Sequence, residues 1–421
     1  MEQFILDQIR YGLRYLPLNL AKSFFIPRSS AETRALRRRE FLCGVCHPTE
    51  NFDQLREANI RWTRFDAPFP FNADGSESES YRNYKEKCRR FADHGIKVMA
   101  ITPFAREFIE NGIDPRTAEG EKEVIRVAEF LIEDLGKCVG GIQIANEIGI
   151  PRFTLPLTME ESARFLGIQA KAMYPHRGDV LIGYNSAGPA ADLHALMQPY
   201  LGYIDYVGID IYLGCFDNYP GFMFLFDALL RYLWAFTKKP VIVQEYGYIS
   251  EGAPKSKAEK RAILQSYGVN SKKEAAKDIE AFVSRLPKDF AAHVPYLAKN
   301  DVSRYYDLVF NSDLRQHLYK EMPPQTRIPG YPHTPEGQAK FFNDTILRFY
   351  NTPFVGGVFV YCYKDSETCY ICGQHDCPVE TRWGLVDRFD NPKPSFYAVK
   401  RRFGRIGFCN AAEKKAGSAG R

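Results

Sequence analysis

Two acids stand out from their local sequence. In "GGIQIANEIGIP" (Gly140–Pro151) an apolar run leads into Asn146 and Glu147, and apolar residues then resume. In "VIVQEYG" (Val241–Gly247) a second apolar run ends on Glu245. A carboxylate at the end of a buried segment is costly unless something compensates it. Two carboxyls meeting across a small cleft are the minimal apparatus for breaking a glycosidic bond. One must stay protonated near neutral pH to protonate the leaving oxygen, so burial or its neighbour's charge must raise its pKa. The other must stay ionised to attack the anomeric carbon, and Arg64 in "IRWTRF" is a cation that would keep it so. The same pair also reads as an acid and a base acting on water, the two cases differing in carboxyl separation. Salt-bridged acids at loop starts are the plain alternative.

These acids need a scaffold, and the rest of the chain suggests one. Short apolar runs alternate with amphipathic stretches over nearly the whole sequence. The runs expected as strands are "FLCGVC" (Phe41–Cys46), "IRWTRF" (Ile60–Phe65), "IKVMAIT" (Ile96–Thr102) and "GIQIA" (Gly141–Ala145). They continue with "VLIGY" (Val180–Tyr184), "YVGIDI" (Tyr206–Ile211), "VIVQ" (Val241–Gln244) and "GVFVY" (Gly357–Tyr361). Helical patterns separate them. Before the eighth run, Thr334 can cap a helix and Pro335 can take its first position. Apolar strands alternating with helices imply a parallel sheet covered on both faces. Eight strands predict closure into an α/β (β/α)8 TIM barrel. A doubly wound open sheet is the runner-up, but no strand is followed by a GxGxxG turn.

In such a barrel the reacting groups sit at the C-terminal strand ends. The first strand ends at His47, the second carries Arg64 and then Asp66, and the fourth ends in Asn146-Glu147. The fifth reaches Asn185, Tyr212 follows the sixth, Glu245 the seventh, and Tyr361, Tyr363 and Asp365 the eighth. The seventh connection is far longer than a usual βα loop, at roughly ninety residues. Its helical patterns mark an insertion at about residues 252–332 that could narrow the site, act as a lid or serve assembly.

At these positions the chain resembles clan A of the glycoside hydrolases, retaining (β/α)8-barrel enzymes. The resemblance rests on "IANE", "VIVQEYG" and Arg64, together with "IDYVGIDIY", "GQAKFFNDTILRFYNTPFVGGVFVY" and "WGLVDRFDNPKPSFYAVK". It implies a retaining hydrolase acting on a β-linked glycoside by double displacement, with Glu147 as acid/base and Glu245 as nucleophile. It further implies that Asn146 binds the sugar 2-hydroxyl and that Arg64 and Tyr212 hold Glu245. His47, Asn185, Tyr361 and Tyr363 would line the sugar subsite. Two departures stand. Ile148 follows the Asn-Glu pair where many members have Pro, and Tyr361 and Tyr363 follow the eighth strand where a Trp is common. No catalytic cofactor is implied. A catalytically inactive carbohydrate-binding barrel is the alternative. A metal-dependent barrel hydrolase is disfavoured, because His47 stands alone among the strand ends.

The segment "CYKDSETCYICGQHDC" (Cys362–Cys377) gathers four of the ten cysteines. Cys369, Cys372 and Cys377 with His375 could hold a structural Zn²⁺. Free thiols or a disulfide would account for the same residues. "CGVC" (Cys43–Cys46) reads as core.

Composition bounds the rest. Hydrophobic residues at 45% and charged residues at 25% describe a globular chain. The net charge of +5 is spread out, with short basic runs at Arg34–Glu40 and Lys400–Arg405, so no nucleic-acid partner is expected. No apolar run is long enough to span a bilayer. Phe4, Ile5, Ile9, Leu13 and Leu16 recur at helical spacing, expected to pack on the core, with membrane-surface contact by residues 1–20 the lesser alternative. The chain is expected to divide into an N-terminal amphipathic helix and basic connector (1–39), a catalytic barrel (40–402) and a disordered tail (403–421). Without a secretory leader in this sequence, a cytoplasmic location with reduced thiols is expected. A carbohydrate is the expected partner. The oligomeric state, the sugar and the linkage are not encoded in any residue pattern.

Overall fold

The computed structural model describes residues 30–216 and 221–419, with Arg10, Arg14 and Pro17, and side chains through residue 407. The apolar residues of the expected amphipathic helix, Phe4, Ile5, Ile9, Leu13 and Leu16, therefore lie outside the described residues.

Eight parallel strands close into a barrel in sequence order. They are β1 (Leu42–Cys46), β2 (Trp62–Asp66), β3 (Lys97–Ile101), β4 (Gly141–Ile148), β5 (Leu181–Ala187), β6 (Tyr206–Ile211), β7 (Val241–Tyr246) and β8 (Val355–Val360). The expected (β/α)8 architecture is the one observed. β1 pairs with β8 through Leu42–Gly357 to Val45–Val360, which seals the ring. Inside, Leu42, Cys46, Trp62, Met99, Leu181, Tyr206, Ile242 and Phe359 form one packed cluster. Two large rings fit there because Gly44 and Gly183 leave room. A side chain at Gly44 would collide with Phe359, and one at Gly183 with Tyr206. A larger apolar layer fills the space between strands and helices.

The helices are specified locally as well. Glu79–Asp93 starts at the Ser78 cap and buries Tyr81, Tyr84, Cys88 and Phe91 along one stripe. Pro335–Asn351 starts as expected, with Thr334 Oγ1 accepting from the Gly337 amide and Pro335 in the first turn. Ala31–Arg39 carries the first basic run and closes the N-terminal end of the barrel. Leu36 is buried there, and Arg37 donates to the carbonyls of Tyr350, Thr352 and Val355 at 2.7, 2.9 and 3.2 Å. The last helix, Pro394–Ala419, includes residues 403–419, the segment read from sequence as a tail. Its "AAEKKA" stretch is rich in strong helix formers, and Phe403 and Ile406 are buried. No helix among the described residues is long and apolar enough to cross a membrane.

Between β7 and Pro335–Asn351 stand the inserted helices, running from Lys257–Ser266 to Leu314–Tyr319. They bury Phe282, Phe290, Val294, Val309, Phe310 and Leu318. Leu297, Leu308, Leu314 and His317 from this insertion line a cleft at the C-terminal end of the barrel.

Candidate active site

Four strands run further than their apolar runs suggested: β2 to Asp66, β4 to Ile148, β5 to Ala187 and β7 to Tyr246. Asp66, Asn146, Glu147, Asn185 and Glu245 are therefore carried on strands, and rigid backbone sets their positions, whereas His47, Tyr212 and Tyr361 follow theirs.

In a regular strand, neighbours such as Asn146 and Glu147 point to opposite faces. Here β4 departs from regularity. Its pairing with β5 jumps from Ile144–Tyr184 to Ile148–Ser186, so Ala145, Asn146 and Glu147 lie opposite the single residue Asn185. Ala145 and Glu147 take left-handed backbone conformations, with φ of 52° and 46°. Such strain is tolerated where surrounding contacts over-determine it. The contacts are present. Thr102 Oγ1 accepts from the Ala145 amide at 3.0 Å, Gln143 Nε2 donates to the Ala145 carbonyl at 2.7 Å, and Asn185 Oδ1 accepts from the Glu147 amide at 2.8 Å. As a result both Asn146 and Glu147 line the cleft.

A second irregularity sets Glu245. The β6–β7 register passes from Ile209–Val243 to Asp210–Glu245, leaving Gln244 out. Gln244 turns into the barrel, where its Nε2 donates to Tyr206 Oη at 3.1 Å, while Glu245 lines the cleft. Each oxygen of Glu245 has its own donor. Arg64 Nη1 donates to Oε1, and Tyr212 Oη donates to Oε2 at 2.5 Å. Arg64 spends its other groups on Gln143 Oε1 at 2.6 Å and Asn146 Oδ1 at 2.5 Å, and it lies 3.8 Å from Asp210. Asn146 Oδ1 also accepts from Gln143 at 2.9 Å and from Asn185 at 2.9 Å. With its oxygen saturated, the amide's remaining hydrogen-bonding group is the Nδ2 donor.

The two glutamates sit in opposite electrostatic environments. Burial pushes the Glu147 carboxyl up to about 8, and the charge of Glu245 adds to that, with Arg152 and Arg64 opposing. Burial acts on Glu245 in the same direction, but Arg64, a smaller contribution from His47 and the Tyr212 bond outweigh it and hold Glu245 below the usual carboxylate range. Near neutral pH this pair of glutamates thus comprises one protonated carboxyl and one carboxylate. Asp210 lies beneath them and is pushed well up by burial and by the Glu245 charge.

The cleft has a volume of about 950 Å³. His47, exposed and left-handed with φ 48°, sits on its rim beside Tyr361, ring centroids 6.0 Å apart. Tyr212, Tyr361 and Trp383 form an edge-to-face wall with centroids 5.2–5.8 Å apart. A Trp does reach this wall, but from the segment after the cysteine loop.

Two residues expected to line the sugar subsite, Asn185 and Tyr363, stand elsewhere, and Arg64, expected to hold Glu245, contacts it from outside the cleft. Arg64 is fully buried under Glu245 and Asn146 and has no face on the cleft. Asn185 is buried behind Asn146 and Glu147, where it also donates to Asp210 at 2.8 Å. Both are positioning residues. Tyr363 departs further, because the chain after β8 folds back over β1 and its amide donates to the Cys46 carbonyl at 3.2 Å. Its phenol is thereby buried against Gln54, away from the cleft.

Several cleft residues carried no sequence signal. Asp210 hides in the strand "YVGIDI". Arg152 reaches Tyr370 Oη at 3.4 Å. Glu380 is buried, which pushes it up to about 7. Cys369, Cys372 and Cys377 do converge, but His375 is exposed and not with them. Their fourth neighbour is His317, on the inserted helix Leu314–Tyr319. Spacing along the chain could not find it, since the partner arrives through the fold.

No family model matches the sequence, and no curated protein matches it. Among solved structures, the chain is similar to the GH53 catalytic domain from Ignisphaera aggregans. The TM-score is 0.53 at 15% identity, covering 86% of this chain and 96% of that one. A family 39 glycoside hydrolase from Bacteroides cellulosilyticus WH2 gives a TM-score of 0.49 at 14% identity, covering 90% of this chain and 65% of that one. The β-glucuronidase of Parabacteroides merdae gives 0.48 at 12%, covering 86% and 37%. The likeness to the GH53 domain is one of fold.

Proposed function

We propose that the protein is a retaining glycoside hydrolase, with Glu147 as general acid/base and Glu245 as nucleophile. The observation that carries this reading is the split between the two carboxyls within one cleft. Glu147 is buried and held protonated, ready to donate to a leaving oxygen. Glu245 has both oxygens hydrogen-bonded and is held ionised. A carboxylate of lowered pKa is a weak base toward water but a competent nucleophile, which favours double displacement over direct attack by water.

In the first step Glu245 attacks the anomeric carbon while Glu147 protonates the departing oxygen. The glycosyl–Glu245 ester forms as the glycosidic bond breaks. Glu147, now ionised, then takes a proton from water, whose oxygen attacks the same carbon and releases Glu245. Arg64 and Tyr212 keep the nucleophile oriented, and Asn146 offers its Nδ2 to the sugar 2-hydroxyl. A β-linked substrate follows from the clan A resemblance. The test is stereochemical. Proton NMR of the first-formed product should show the anomer of the substrate's own configuration, whereas the opposite anomer would exclude a covalent glycosyl–Glu245 route.

A further inference from the structure

His317 Nδ1 and the sulfurs of Cys369, Cys372 and Cys377 all lie within 4.8 Å of one another, and all four residues are buried. Nδ1 is 3.3 Å from Cys369 Sγ and 3.5 Å from Cys377 Sγ. None of the three cysteines is in a disulfide. Zinc bonds of about 2.3 Å to sulfur and 2.0–2.1 Å to nitrogen give a tetrahedron with edges of roughly 3.5–3.8 Å. The two Nδ1–sulfur edges at 3.3 and 3.5 Å are close to that spacing, the remaining donor pairs lie within 4.8 Å, and the composition is that of a Cys3His site. Their surroundings suit thiolates as well. The Cys372 amide donates to Cys369 Sγ at 3.4 Å, and Gln374 Nε2 donates to Cys372 Sγ at 3.2 Å. Such outer bonds orient metal-binding ligands and stabilise their charge. Gln374 also donates to the His317 carbonyl at 3.3 Å, joining the two segments from outside the cluster. A disulfide would consume two of the sulfurs and leave a thiol and an imidazole buried without purpose.

We propose that His317, Cys369, Cys372 and Cys377 bind one Zn²⁺ in a closed Cys3His site that pins the insertion to the loop after β8. Four protein ligands leave no open position, so the ion is structural and takes no part in hydrolysis. Its position gives it a task. The same loop and the short helix after it, Pro378–Thr381, carry Tyr370, Ile371 and Glu380 into the cleft, beside Leu314 and His317 of the insertion. The metal therefore fixes one wall of the cleft. This inference stands independently of the glycosidase reading, because its readout is metal content.

The experiment uses the full chain purified under reducing conditions without chelator. Elemental analysis should give one zinc per chain. His317→Ala and Cys372→Ser should each fall at least tenfold, and His375→Ala should remain at one. Because ligand variants can misfold, the wild type is also stripped and titrated with Co²⁺. Thiolate-to-cobalt charge-transfer absorption with intense tetrahedral d–d bands is expected at one equivalent. Wild-type protein that holds no zinc and takes up neither Zn²⁺ nor Co²⁺ overturns the site. Full zinc content in His317→Ala, with loss in His375→Ala, overturns the ligand set.

Discussion

Tyr212 donates its phenol to Glu245 Oε2 at 2.5 Å, the oxygen that Arg64 leaves unbonded. The two donors together hold Glu245 ionised in a buried setting. A hydrogen bond to a charged group contributes about 1.5–3 kcal/mol, so Tyr212→Phe should lower kcat by roughly 10- to 100-fold. Losing the phenol raises the Glu245 pKa, so the acidic limb of kcat/KM should move to higher pH. A pH–rate profile of the variant checks both. An unmoved limb would mean that Tyr212 does not act through Glu245.

Glu147 supplies the opposite limb. Its carboxyl is pushed up to about 8, so activity should fall as pH rises through that value, and Glu147→Gln should abolish the basic limb. Stability follows from the same shift. The folded-state pKa lies above the unfolded value, so the folded chain holds more protons between them and loses stability as pH rises toward 8. Glu147→Gln removes that loss. Its Tm should exceed the wild type's by about 2 °C or more at pH 8, with a smaller difference at pH 5. Thermal melts at the two pH values measure it.

Asn146 has its Oδ1 taken by Arg64, Gln143 and Asn185, which leaves Nδ2 for substrate. Wild-type enzyme should cleave a glycoside far faster than its 2-deoxy analogue. In Asn146→Ala that preference should collapse by about 10-fold or more, since a hydrogen bond to the 2-hydroxyl strengthens in the transition state. The four rate constants of this cycle isolate the contact.

Much of this arrangement was legible in the sequence, and what was missed shares one cause. Apolar runs between helical stretches specify eight strands because a sheet covered on both faces demands them. Glu147 and Glu245 were visible because an acid ending a buried run is unusual. The backbone irregularities were not visible. Ala145 looks like an ordinary strand residue, yet its left-handed conformation helps turn Asn146 toward the cleft. Asp210 was hidden as one letter in an apolar strand. His317 was unreadable because its cysteine partners lie in a segment some fifty residues away. Arg64 and Asn185 were found, but whether a polar residue faces the cleft or braces its neighbours depends on packing.

Tyr361 and Tyr363 make the last point testable. Tyr361 lines the cleft beside His47 and Trp383, whereas the Tyr363 phenol bonds Gln54 away from it. Tyr361→Ala should raise KM by about 10-fold or more, the cost of roughly 1.5 kcal/mol of lost aromatic contact. Tyr363→Phe should leave KM unchanged and act only on Tm. Steady-state kinetics with melting curves separate the two effects.

In the proposed mechanism Glu245 becomes covalently bonded to the sugar while Glu147 only transfers protons. Azide rescue tests it on whichever aryl β-glycoside the wild type cleaves. Azide should restore turnover to Glu245→Ala with a glycosyl azide of inverted configuration, and to Glu147→Ala with one of retained configuration. Wild-type turnover in both variants without azide, or an inverted azide product from Glu147→Ala, would contradict it.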